Sequence, residues 1–279
     1  MHVATILVDG RPRVAVSRLG LTVPLPADDP TWTSVRALAA AGADALERVR
    51  DWLDGQPTDA RSESDVRFGP AVPDPGAIYT IGVNYDGPGA APRPERPLIY
   101  GKAAASVAGH GDTLSWDRAV TDDVDAEVEL GVVIGAPAHR VAPEDAMRHV
   151  FGYTCINDIS ARDDRFDGDQ WLLGKSMPGY CPVGPWVVTA DELDPSDLSL
   201  GCAIDGEAIQ DDRTSKMRFS IPDIVAYLSE HLELRPGDLI ATGTPVRLAT
   251  PPGPGRRLRR GDTVTAWIER IGTLTTTID

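Results

Sequence analysis

The chain has 279 residues, with 27 Lys and Arg against 42 Asp and Glu, a formal net charge of −15. That excess of acid excludes the basic face that nucleic acid or an anionic membrane surface requires, so an anionic small molecule must be held by local cations. The length suits one or two domains with a proper hydrophobic core. The three cysteines, Cys155, Cys181 and Cys202, are scattered and lack a C-x-x-C pair, so they read as reduced, buried small hydrophobes. No basic segment followed by an apolar run opens the chain, and no stretch approaches transmembrane length, so the expected location is cytoplasmic.

Residues 1–23 predict short strands around a turn at Asp9-Gly10. Residues 33–54 predict an amphipathic helix. Val35, Leu38, Leu46, Val49 and Leu53 recur at helical spacing, and Gly55 supplies the stop. Residues 56–75 are polar and contain proline, which marks a linker. Residues 1–74 thus form a small extension suited to packing or subunit pairing, with no catalytic residue.

The core begins with a strand over 77–83, followed by Asn84-Tyr85. The next stretch, DGPGAAPRPERP, cannot sustain a helix because Pro and Gly recur every few residues. Lys102 follows in YGKAAASVAG. Residues 120–134 then alternate. Asp125, Glu127 and Glu129 share one face of a strand, and Leu130, Val132 and Ile134 continue the opposite, apolar face. Carboxylates crowded on one face repel each other unless protons or a cation neutralise them, and oxygen-only ligands suit hard cations. By itself the pattern fits either a cation site or a solvated acidic edge strand. Residues 143–150 predict a helix with Pro at its first turn. His139 and His149 fit no zinc spacing. A second strand over 151–156 ends in Asn157-Asp158. Further on, Asp205-Gly206 predicts a hairpin turn, 220–232 a capped core helix, and 239–242 a strand entering Gly243-Thr244-Pro245. Arg256, Arg257, Arg259 and Arg260 read as a solvated hairpin.

EVELGVVIG, GYTCINDISARD, GKSMPGYCPVGPWVV and LRPGDLIATGTP, flanked by IYTIGVNY and GTL, resemble the signature blocks of the fumarylacetoacetate hydrolase family, in that order and over roughly 75–279. The resemblance implies an α+β fold, a mixed β-sandwich roll with a small N-terminal α/β extension, usually paired as a homodimer. It implies that Glu127, Glu129 and Asp158 hold Mg²⁺, or Mn²⁺ or Ca²⁺. Lys175 would lie close to the metal, and Arg162 would have a structural or substrate-edge role. Thr244, beside Gly243, would cradle a substrate carboxylate. Tyr85 and Tyr180 would belong to the substrate pocket, and Lys102 would lie near its mouth. Arg165 stands where the family usually has Gln, so it reads either as a new substrate contact or as a partner of a neighbouring Asp.

The implied activity is that of a metal-dependent hydrolase, lyase or isomerase acting on a 2-oxo acid or 1,3-dicarbonyl compound through a metal-stabilised enolate. The outcome would be C–C cleavage, decarboxylation or tautomerisation. A specialised biosynthetic isomerase or cyclase and a catalytically silent member are the alternatives. Loss of an acid would favour the silent member, and all three acids are present. Many members follow Asn-Tyr with a lid helix whose His and, three residues on, Glu activate the hydrolytic water. Here those positions hold Pro88 and Ala91. A general base contributes roughly 10²–10⁴-fold, so hydrolysis suffers most from its absence unless Asp86, Glu95 or His110 substitutes.

Overall fold

Apolar runs from distant parts of the chain converge on one large mixed sheet in this computed structural model, which describes residues 1–55, 59–163, 166, 170–248 and 255–279. At the centre of that sheet, Val128–Ile134 lies between Val150–Asn157 and Leu239–Ala241, antiparallel to both. Beyond Leu239–Ala241 come Ile78–Gly82, in parallel, and then Leu98–Lys102. On the other side Cys181–Thr189 follows, and His2–Val8 pairs with it. The N-terminal hairpin is therefore part of the same ladder, with Val3 opposite Val187.

A smaller sheet, with Ser199–Ile204 and Thr263–Ile268 in its interior, packs over one face of the large one. Leu130, Val132, Tyr153 and Cys155 meet Leu200, Cys202 and Leu274 in the space between. The opposite face of the large sheet presents Val133, Phe151 and Val187 to Leu38, Leu46 and Val49 of the helix Val35–Asp54. Each fully buried Val or Leu side chain contributes about 1.5–3 kcal/mol relative to exposure, so both faces are strongly specified. This is the mixed α+β architecture expected from the blocks. Among the described residues no helix is long and apolar enough to cross a membrane. All three cysteines are buried and free.

Local structure departs from the sequence reading in several places. The helix Val35–Asp54 is capped by Ser34, whose side chain accepts from the Ala37 N–H, and is interrupted at Gly42, where φ is 72°. Pro143–His149 is a 3₁₀ helix. The acidic strand is not continuous. Val124–Asp125 pairs with Ser160–Ala161 in a separate two-stranded ribbon, and the large-sheet strand begins only at Val128. Between them the Val128 N–H turns to the side chain of Gln210. Nor is the strand a solvated edge: Val128–Ile134 is buried along its whole length. The basic run is engaged too. Arg256 bonds Asp205 and Asp262, and Arg257 bonds Asp123 and Asp125.

Candidate metal centre and active site

Sheet register builds the site. Val128 sits opposite Asn157 and Glu129 opposite Ile156, so the residues just beyond these pairs, Glu127 and Asp158, emerge at the same end. Two bonds stitch the junction: the Asp158 N–H donates to the Glu127 carbonyl (2.8 Å), and the Glu127 N–H to the Asn157 side chain (3.1 Å). One carboxylate oxygen from each of Glu127, Glu129 and Asp158 lies within 4.8 Å of the others. Asp125 does not join them. It turns to Arg247 and Arg257, because the break at Ala126 ends the alternation.

These three acids form the polar floor of a cavity of about 250 Å³. Lys175 and Arg162 complete that floor, and Thr244, Thr80 to Val83, Tyr100 and Trp171 form the walls. Tyr100 and Trp171 stack with centroids 4.7 Å apart and an interplanar angle of 19°. A larger, open concavity of about 900 Å³ lies elsewhere, along Arg93, Arg140, Phe219 and Tyr227, and lacks convergent carboxylates.

Each acid is held differently. Asp158 is fully buried between two lysines. Lys102 Nζ donates to one carboxylate oxygen at 2.5 Å and to the Ile159 carbonyl at 3.1 Å. Lys175 donates to the other oxygen, and also to Glu127 (3.2 Å) and Ser160 (2.8 Å). Burial works against the Asp158 charge, but Lys102 and then Lys175 outweigh it and hold the carboxyl at about 2. Glu127 takes Arg162 and Lys175. Glu129 receives one N–H, from Gly243 at 2.8 Å. Its pKa is pushed well above the usual carboxylate range, by burial first and then by the Asp158 charge.

A divalent cation fits here on the chemistry of the donors: three convergent carboxylates, one of them buried and little compensated. Lys175, on the short helix Trp171–Lys175, stays ammonium. Burial opposes its charge, but Asp158 and then Glu127 raise its pKa beyond the ordinary lysine value.

Other expected residues fall in different places. Gly243 is at φ +100°, and a Cβ there would come within 2.7 Å of the Asn84 Cβ, so the amide that bonds Glu129 requires glycine. Thr244 lines the cavity, but its hydroxyl proton is already donated to the Val128 carbonyl (2.8 Å), and the oxygen accepts from Gln210 (2.7 Å). Tyr85 and Tyr180 do not line the cavity. Both lie in the core, with buried hydroxyls that find no partner among the described residues. Arg165 lies outside the described residues. Lys102, expected near the mouth, is instead 4 % exposed beneath Asp158. Strand parity with Tyr100 in Leu98–Lys102 carried the available signal, since both turn to the site side. Gln210 carries no motif and is found only through its bonds, and Asn84, though part of the IYTIGVNY block, shows its role only through its own.

The candidate substitutes for the lid pair are all elsewhere. Asp86 pairs with Arg218 at 2.8 Å. Glu95 lines the larger concavity. His110 stands edge-on to Phe68 beneath the N-terminal hairpin, with its pKa lowered by burial.

Comparison with known proteins gives a consistent picture. A family model described as "Fumarylacetoacetate (FAA) hydrolase C-terminal" matches residues 77–279. The oxaloacetate tautomerase YisK of Bacillus subtilis is 39% identical over 224 residues, covering 78% of this chain and 74% of that protein. The structure of a fumarylacetoacetate hydrolase from Exiguobacterium antarcticum superposes with a TM-score of 0.85 at 30% identity, over 100% of this chain and 99% of that one. A 2-hydroxyhepta-2,4-diene-1,7-dioate isomerase from Mycobacterium marinum gives 0.76 at 30% identity, over 100% and 98%.

Proposed function

The chain belongs to the fumarylacetoacetate hydrolase family of enzymes, and from that premise we propose that it tautomerises or decarboxylates a short 2-oxo diacid of the oxaloacetate type with a divalent cation, and hydrolyses acylpyruvates poorly. The observation that carries this reading is the makeup of the cavity: three convergent carboxylates and a protonated lysine, with none of Asp86, Glu95 and His110 among the residues that line it. Bound Mg²⁺ or Mn²⁺ would supply Lewis acidity to a 2-oxo acid that offers two oxygens.

The protein's own groups account for the rest. Lys175, anchored by Ser160 and Asp158, holds negative charge as it develops on a substrate oxygen. Arg162, partly exposed on the cavity floor, pairs with Glu127 and so orients that carboxylate. The Tyr100–Trp171 stack gives a flat wall that excludes water and accommodates a planar enol. Enol–keto interconversion needs no water to be deprotonated, whereas acylpyruvate hydrolysis does. The similarity to an oxaloacetate tautomerase over most of the chain supports the same substrate class.

The test is steady-state kinetics with oxaloacetate and with acetylpyruvate, each with and without Mg²⁺. Cation-dependent turnover of oxaloacetate is expected, with acetylpyruvate cleavage slower by about 10²-fold or more, the factor a missing general base removes. Fast acetylpyruvate cleavage would overturn the assignment.

A further inference from the structure

We propose that Arg218 is a positioning residue: it clamps residues 83–93, of which Val83 lines the cavity, and, through Asn84, sets the loop that orients Glu129. This rests on the cation reading above for its functional consequence, but the clamp stands on geometry of its own.

Residues 83–93 contain Gly87, Pro88, Gly89 and Pro92 and form no helix or strand. A segment of that composition is free to move unless something ties it down. The Arg218 side chain is 4 % exposed, and its guanidinium faces the segment at three points. Nη1 donates to the Val83 carbonyl (3.1 Å), Nε to Asp86 (2.8 Å) and Nη2 to the Ala91 carbonyl (2.8 Å). The backbone joins in: the Arg218 N–H donates to the Asn84 carbonyl at 2.8 Å. The segment reaches back as well. Arg93 donates to the Arg218 carbonyl at 2.8 Å and lies over the Phe219 ring.

Two further facts connect this clamp to the site. Val83 lines the cavity and holds φ at 56°, an unfavourable conformation for a β-branched residue that persists only where the surroundings enforce it. The Arg218 bond to its carbonyl is one such constraint. Asn84 is fully buried and uses both ends of its amide: it accepts from the Phe219 N–H (2.8 Å) and donates to the Thr242 carbonyl (2.7 Å). The next residue, Gly243, abuts the Asn84 Cβ and gives its N–H to Glu129. A continuous path of bonds and contacts thus runs from Arg218 to a carboxylate of the trio.

Amide hydrogen exchange and Mn²⁺ calorimetry on the full chain test this together. In the unsubstituted protein, exchange at the bonded amides of this segment, Asp86 (to the Lys216 carbonyl, 3.2 Å) and Ala90 (to the Gly87 carbonyl, 3.1 Å), should be slow and unchanged by Mg²⁺ plus oxalate, a chelating stand-in for a 2-oxo acid. Arg218→Met should speed that exchange and weaken Mn²⁺ binding by about tenfold, the low end for removing a group that supports a ligand. Arg93→Ala keeps the buried guanidinium and should shift both readouts in the same direction by less, which covers the case in which Arg218→Met fails to fold. Protection of 83–93 that appears only with Mg²⁺ and oxalate would show a mobile lid and overturn the proposal. So would Mn²⁺ affinity unchanged in the folded variants. If the unsubstituted protein binds neither cation, the metal assignment falls, and the exchange measurement still decides the clamp.

Discussion

Replacing Asp158 with alanine is expected to destabilise the protein by about 3–5 kcal/mol as well as to abolish cation binding. Sequence alone suggests a clean loss of a ligand with the fold intact. The structure changes that expectation, because Asp158 is the shared partner of two buried ammonium groups, Lys102 and Lys175. Removing it leaves the buried Lys102 with only the Ile159 carbonyl as partner and takes from Lys175 one of its two carboxylates. Glu129→Gln should behave in the opposite way. Burial and the neighbouring Asp158 already disfavour the Glu129 charge, so a neutral amide of the same shape should cost little stability while still losing the cation. Urea midpoints and Mn²⁺ calorimetry on both variants separate the two cases. Equal losses of stability would mean that the lysines do not depend on Asp158. A pH titration gives the same information with a definite sign. The Asp158 carboxyl is depressed to about 2 from its ordinary 3.8, so its contribution is complete above 3.8 and fades as the pH falls toward 2.

Lys175→Met should raise the barrier by about 2–4 kcal/mol, the scale of losing one preorganised donor to a developing oxyanion. The effect should fall on kcat. Asp158 keeps Lys102 in this variant, so the carboxylate remains compensated and the fold should survive. Cation affinity should hold or rise, since a positive charge beside the site has gone. Oxaloacetate kinetics with parallel Mn²⁺ calorimetry check both halves. Near-normal turnover would confine Lys175 to a structural role.

Much of this site was legible in the sequence because its acids lie on regular strands or immediately beside them. Glu127 and Glu129 are two residues apart, Asp158 directly follows the neighbouring strand, and register does the rest. Asp125 looked equivalent and is not, because period-two reasoning assumes an unbroken strand and the backbone leaves the ladder at Ala126. Thr244 was found, but not how its hydroxyl is spent: its partners, Val128 and Gln210, are 116 and 34 residues away. Arg218 was invisible for the same reason. A lone arginine between Met217 and Phe219 resembles any surface cation until the fold brings Val83, Asp86 and Ala91 around it. The loop's composition argued for freedom, and a residue 132 positions beyond Asp86 denies it.

The N-terminal hairpin has a consequence of a different kind. The family match begins at residue 77, yet His2–Val8 is hydrogen-bonded directly to Cys181–Thr189, inside the sheet that carries the acids. Inheritance and mechanics therefore draw the boundary in different places. A chain starting at the inherited boundary would uncover part of a nine-residue strand, CPVGPWVVT, with no charge on it to discourage pairing with a second molecule. The extension acts as a lateral seal on the catalytic sheet, and its removal would replace a folded enzyme's problem of activity with one of solubility.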